Sequence, residues 1–390
     1  MELKISQRAQ NIQPSATLAV TAMAKKLKAE GKPVLSFSQG EPDFVSPEAA
    51  MRGAREAMDR GETHYTANTG IPELKKAIAK YYVDHFGIEY SPAEIIVSSG
   101  AKPLIYEALQ ALVDPADEVL LFAPAWVSYV EQVGIAEGVA VVVDTMETGF
   151  VPTKEAVERS LSSKTVGMII NSPNNPTGAI YDRATLEMLA DIAVANDLWI
   201  IYDEIYERLV YGEEKHLNIL QVRPELRDRV ILVNGVSKAY SMTGWRIGYA
   251  LAPKALVAKM DDIQSHLMSN ASSIAQWAAV GAIEGAEEDV ERCRVQFEKR
   301  RDLVYGLLSE IGGLKLHKPT GAFYAFFDVR ETPIPDDMQF CEQLLAGQNV
   351  ALVPGSAFLA PGFVRMSYAC NESDITEGVR RIKEFVDSLK

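Results

Sequence analysis

Between residues 46 and 285 the chain alternates two hydrophobic patterns. Short, nearly unbroken apolar runs predict strands: EIIVSS (94–99), EVLLFA (118–123), VAVVVD (139–144), VGMIIN (166–171), LWIIYD (198–203), RVILVNG (229–235) and RIGYALA (246–252). Between many of them, segments such as PLIYEALQALVD and RATLEMLADIAVAND carry apolar residues at three- and four-residue spacing, which predicts amphipathic helices. Strands without polar alternation, separated by helices, imply an α/β fold with a mostly parallel sheet of seven strands, covered by helices on both faces. After residue 286 the pattern changes. A long charged helix runs through ERCRVQFEKRRDLVYGLLSEIG, followed by strand-like GAFYAFFDV, VALVPG and FVRMSYA and a last helix from Ser373. The expected organisation is a large domain over 46–285 and a smaller α+β domain built from 1–45 and 286–390.

Composition narrows the function classes. Of 390 residues, 47% are hydrophobic and 24% charged, and the net charge is −14. That balance suits a soluble globular chain and argues against nucleic-acid or anionic-membrane partners. It leaves anionic small substrates open, because a local cluster of cations overrides the global sign. The segment ATLAVTAMA imitates a short signal sequence, but it is poor in Leu, Ile and Phe and continues directly into KKLKAEG. It reads as an amphipathic helix opened by Pro14-Ser15 and closed by Gly31. Cys293, Cys341 and Cys370 form no CxxC and read as free thiols, as expected for a cytoplasmic protein.

In an open parallel sheet, ligands bind at the carboxyl ends of the strands. The first strand delivers Gly100-Ala101-Lys102-Pro103, a turn entering a helix whose free N–H groups suit a phosphate. The second delivers Trp126, placed to stack on a planar ligand. The fourth delivers SPNNPTG, a rigid proline-bounded loop in which an X-Pro bond can be cis. The fifth delivers Asp203, an acid after four apolar residues, which burial makes costly unless a cation pairs with it. Tyr206 follows three residues later, on the same side if that segment is helical. The sixth delivers Lys238 between Val236, Ala239 and Tyr240, an unusual setting for a solvated lysine. No GxGxxG follows a strand, no GxxxxGK[ST] occurs, and the five histidines show no metal spacing.

Taken in order, PSATLAV, GEPDF, HYTANTGIPELK, SSGAK, PAWVSY, NSPNNPTG, YDEIYE, SKAYSMTGWRIGY, VPGSAF and VRMSYA span essentially the whole chain. Together they resemble the class I aminotransferases, the fold type I enzymes that use pyridoxal phosphate, and among them the bacterial aspartate aminotransferase subgroup. The resemblance implies that Lys238 holds the cofactor covalently and moves the substrate proton. It implies that Asp203 pairs with the pyridine nitrogen, that Tyr206 and Asn175 meet the phenolic oxygen, and that Trp126 stacks on the ring. Gly100, Ala101, Lys102, Ser237 and Arg246 would hold the phosphate, with Tyr65 reaching it from the other subunit of a homodimer with shared active sites. Arg365 would take the substrate α-carboxylate, a match for its planar fork, and Gly40 would let backbone approach the substrate.

The same resemblance implies exchange of an amino group between aspartate or glutamate and 2-oxoglutarate or oxaloacetate, with Lys102 at the distal carboxylate and Ser15 and Thr17 near the entrance. Pro103 and Glu107 depart from the usual pattern of Gln and Asn there, and Glu107 would bring a negative charge close to a dicarboxylate unless it faces away. Aromatic amino acids, alanine, methionine and prephenate therefore stay open as substrates, as does a carbon–sulfur β-lyase reaction.

Overall fold

The computed structural model describes residues 3–389, apart from the side chain of Arg8. Its centre is a seven-stranded sheet of β1 (Ile95–Ser98), β2 (Glu118–Ala123), β3 (Val139–Asp144), β4 (Thr165–Asn171), β5 (Trp199–Asp203), β6 (Val230–Gly235) and β7 (Gly248–Leu251), in the spatial order β1-β7-β6-β5-β4-β2-β3. All pairings are parallel except those of β7, which runs antiparallel to both β1 and β6. The seven predicted runs are these seven strands, with ends trimmed or extended by no more than two residues.

Alternate side chains feed two apolar cores. Leu120, Met168, Ile200 and Leu232 enter one, and Val119, Ile169, Ile201 and Ile231 enter the other. Burial on both faces explains why these strands read as continuous apolar runs. Only the edge strand β3 is largely accessible along its length. The predicted helices form as Ala101–Leu112 and Arg183–Ala195, the latter capped by Asp182, which accepts from the Thr185 N–H at 2.8 Å.

A second, antiparallel sheet lies in the C-terminal third. It comprises β8 (Lys315–Leu316), β9 (Tyr324–Asp328), β11 (Val353–Pro354) and β12 (Phe363–Ser367), ordered β11-β12-β9-β8. The short β10 (Val350–Ala351) instead pairs in parallel with Leu35–Ser36. Phe297, Val304 and Leu308 of the long helix Glu287–Ser309 pack under this sheet with Ile382 of the last helix, Glu372–Ser388. The N-terminal helix spans Ala16–Ala29, as its Ser15 start suggested. Among the described residues, no helix is long and apolar enough to cross a membrane, and no group of His, Cys, Asp or Glu is arranged to hold a metal ion. The three cysteines are free.

Candidate active site

The strand register brings the candidate chemistry together. Asn171 pairs with Asp203 across β4 and β5, and Asp203 with Val233 across β5 and β6, so the strand ends stand level. Above them opens a cleft of about 410 Å³. Of the residues singled out from sequence, Gly40, Ala101, Lys102, Trp126, Asn175, Asp203, Tyr206, Ser237, Lys238, Arg246 and Arg365 line it, with Ser15 and Thr17 at its wall. Gly100 lies behind the rim. It adopts φ +99°, and a methyl there would fall 2.4 Å from a guanidinium nitrogen of Arg246. Tyr65 does not reach the cleft within this chain; it is 91% exposed.

Asp203 is buried, and its carboxylate accepts from the Tyr129 hydroxyl at 2.7 Å and from the Ile205 N–H at 3.1 Å. Both donors are neutral, and no cation forms an ion pair with Asp203 among the described residues. Burial therefore pushes its pKa up to about 6, against the opposing hydrogen bond from Tyr129. An acid so placed is suited to a cationic partner delivered by a ligand. The segment after Asp203 is a turn and not the helix that sequence left open; Tyr206 reaches the cleft because Glu207 N–H bonds back to the Glu204 carbonyl at 2.9 Å. The Tyr206 hydroxyl meets that of Tyr324 at 2.8 Å.

Lys238 donates from Nζ to the Gly40 carbonyl at 2.7 Å and sits 5.9 Å from the ring centres of Tyr206 and Phe323. Burial lowers its pKa to about 8; the charge of Glu41 opposes that shift, whereas Arg246 and Arg365 add to it. Arg246 is exposed at φ 56°, two residues before β7 begins, and donates to the carbonyls of Thr243 and Ser99. The Lys102 ammonium lies 4.8 Å from the Trp126 ring centre, its pKa lowered by burial and by Arg246.

Arg365 is the largest fully buried side chain and stands on β12. Its two terminal nitrogens donate to Asn175 Oδ1 at 2.9 Å and to the Ser38 carbonyl at 2.7 Å, while Nε has no partner among the described residues. Tyr324 and Phe358 flank the guanidinium at 4.5 and 4.7 Å. A buried arginine held only by neutral acceptors is suited to an anionic ligand, because no carboxylate among the described residues offsets its charge. The cleft therefore gathers four cations in a chain of strongly negative net charge.

Glu107 does not share this space. It faces the core beside Ser98, neither carboxyl oxygen accepts a hydrogen bond among the described residues, and burial pushes its pKa up to about 8. Burial thus favours its neutral form, and neither it nor Pro103 lines the cleft. The Ser172–Pro173 bond is cis, as SPNNPTG allowed, and so is Ala123–Pro124. Sequence reasoning missed Ser38, Tyr129, Asn171 and Tyr324. Asn171 had a usable signal, since it ends an apolar strand as Asp203 does. Tyr324 had none, because its position depends on how the second sheet packs.

A family model described as Aminotransferase class I and II matches residues 32–382. The aspartate aminotransferase of Geobacillus stearothermophilus is 44% identical over 99% of this chain and 100% of its own length. The aspartate/prephenate aminotransferase of Thermus thermophilus is 42% identical over 97% of each chain. Among solved structures, aspartate aminotransferase from Rhizobium meliloti superposes with a TM-score of 0.96 at 40% identity, covering 100% of both chains. That from Thermus thermophilus with maleate gives 0.94 at 41% identity, covering 98% of this chain and 100% of the other.

Proposed function

The chain belongs to the aminotransferase class I and II family, and we propose that it is a pyridoxal-phosphate-dependent aspartate aminotransferase. In this reading it moves the amino group of aspartate or glutamate to oxaloacetate or 2-oxoglutarate. The observation that carries it is the pairing, in one cleft, of an uncompensated buried arginine, Arg365, with a second cation, Lys102. A dicarboxylate needs two such points. Maleate, present with the Thermus thermophilus relative, is a dicarboxylate.

The donor set fits the cofactor. When bound, pyridoxal phosphate supplies an electron sink for the amino acid's α-carbon. Lys238 would carry it, Asp203 would find in its ring nitrogen the cation that burial demands, and Trp126 would cover its face. The first-turn N–H groups of Ala101 and Lys102, which no side chain caps, would take the phosphate with Ser237 and Arg246. Lys238 then has the second task of taking the α-proton, for which a pKa near 8 keeps a useful neutral fraction. Tyr206 and Asn175 would orient the phenolic oxygen. The cytoplasmic homodimer is part of this proposal. An open groove of about 750 Å³ beside Arg246, with Val45 at its rim 94% exposed, is consistent with cover from a second subunit that brings its own Tyr65. The division into a large unit over 46–285 and a smaller one from 1–45 and 286–390, with Lys238 on the first and Arg365 on the second, is also part of this proposal.

The test is a panel of amino donors on the wild type and on Lys102→Gln. Aspartate and glutamate should lead, and the variant should lose about tenfold or more in kcat/KM on those two while alanine, methionine and phenylalanine change little. An even loss would place Lys102 elsewhere. Because the relatives from Thermus thermophilus and Cereibacter sphaeroides are aspartate/prephenate aminotransferases, prephenate belongs in the acceptor panel. Release of pyruvate and ammonia without a 2-oxo acid would instead indicate the β-lyase reaction.

Gly40→Ala offers a check on the cleft wall. Its methyl would lie 2.3 Å from the buried Tyr324 hydroxyl, which Tyr206 already holds. Overpacking of this kind costs about 1–3 kcal/mol, so kcat/KM should fall about tenfold while the protein stays folded. Steady-state kinetics alongside a thermal melt measures both.

A further inference from the structure

Two of the four cleft cations, Arg365 and Lys238, share one support. Ser38 offers its carbonyl to Arg365 and Gly40 offers its carbonyl to Lys238, each at 2.7 Å. Both belong to an irregular run that leaves Leu35–Ser36 and ends where the helix Glu48–Asp59 begins. Such a run needs external ties to keep two carbonyls aimed. Some ties reach the Lys238 side, where Thr243 bonds Glu41 and Ser46 donates to the Ser241 carbonyl at 3.1 Å. One tie reaches the long helix Glu287–Ser309. Arg300 grips Asp43 with both terminal nitrogens, at 2.6 and 2.9 Å.

Arg300 is an odd occupant of its site. It is buried on a helix that packs Phe297, Val304 and Leu308 into the core. Its guanidinium lies 4.9 Å from the Phe44 ring centre and 5.6 Å from that of Phe297, and those rings meet edge to face. Only the Arg300 end of this pair is buried, since Asp43 keeps about a third of its side chain accessible, so the pair adds little stability, yet a bidentate fork fixes orientation well.

We infer that the Asp43–Arg300 pair is a positioning device for the reaction, locking the run from Ser38 to Asp43 so that its carbonyls set the placement of Arg365 and the protonation of Lys238. The inference rests on the roles proposed above for those two cations. A carbonyl that accepts from an ammonium favours the charged form. Loosening Gly40 therefore leaves the burial of Lys238 less opposed, and its amine should deprotonate at lower pH. The groups acting most strongly on Lys238 are Glu41, Arg246, Arg365 and Asp203, with the rings of Tyr206 and Phe323 nearby. Neither Asp43 nor Arg300 is among them, and Arg300→Lys keeps the charge, so a shift in that variant points to the run.

The experiment compares wild type with Asp43→Asn, Arg300→Lys and the double variant. Lysine labelled with ¹³C at Cε reports the titration of Lys238 in the cofactor-free protein, assigned by its loss in Lys238→Ala. The midpoint should fall by about half a unit or more in both single variants. In the loaded enzyme KM for aspartate should rise about tenfold with kcat changed less, and the double variant should be no worse than the poorer single one. An unchanged midpoint and unchanged KM, with only a lower melting temperature, would make the pair purely structural and overturn the inference. If Asp43→Asn fails to fold, Arg300→Lys alone still decides, since it keeps the charge and loses the fork. A wild type without transaminase activity would remove the proposed function, while the amine titration would still judge the device.

Discussion

Lys238→Ala should yield a folded protein with no measurable transamination, a loss of about 10⁴-fold or more. The same change should remove covalent attachment of the cofactor. Borohydride reduction of the loaded wild type should fix the cofactor's mass on the peptide containing Lys238, and on no peptide of the variant. An adduct on another lysine, Lys102 included, would overturn the assignment. The size of the effect follows from the site. Lys238 is the cleft's one amine whose neighbours include both a buried acid, Asp203, and a backbone acceptor, Gly40. Its pKa near 8 makes a second, signed expectation. Below that value the amine of the cofactor-free protein is protonated and cannot attack an aldehyde. Cofactor uptake should therefore slow about tenfold for each pH unit below 8, as stopped-flow absorbance would record. Removing Lys238 also removes a buried charge, so the variant's melting temperature should hold.

Much of this was legible because the sheet is buried on both sides. Runs such as EVLLFA, LWIIYD and RVILVNG need no alternation to be read as strands, and their ends put Trp126, Asp203 and Lys238 at one rim by topology alone. The turn at Tyr206 was less legible, since EIYE fits one helical turn as well as the turn that forms. The direction of Glu107 was illegible for a physical reason. On a helix with one face in the core, one residue's offset decides between cleft and core, and an acid whose neutral form burial favours looks like any other in a count of charges. Tyr324 and Ser38 belong to elements nearly 290 residues apart that meet only when β9, β12 and the run after Leu35–Ser36 have packed. No local pattern carries that meeting. The resemblance to known aminotransferases suggested the role proposed for Arg365; the physical support for it, a buried guanidinium with no acid beside it among the described residues, came from the packing.

Arg365→Ala should lower kcat/KM by about 10³-fold for every amino donor alike, because the α-carboxylate is common to all of them. A loss confined to aspartate and glutamate would instead put Arg365 at the side-chain end and exchange its role with Lys102. Stability supplies an independent reading. Breaking a structural buried ion pair costs about 3–5 kcal/mol, since a charge is left without its partner. Arg365 has no such partner: Asn175, Ser38 and two aromatic rings are all neutral. Its removal relieves an uncompensated charge, and the melt of the cofactor-free variant should shift far less than such a break would produce. Arg365→Lys refines the result further. It keeps the charge but not the planar fork, and the ammonium cannot span both carboxylate oxygens while the Asn175 and Ser38 acceptors stay in place. That variant should recover only part of the lost binding, with KM raised for all donors. Full recovery would mean that charge alone, without the bidentate geometry of β12, orients the substrate.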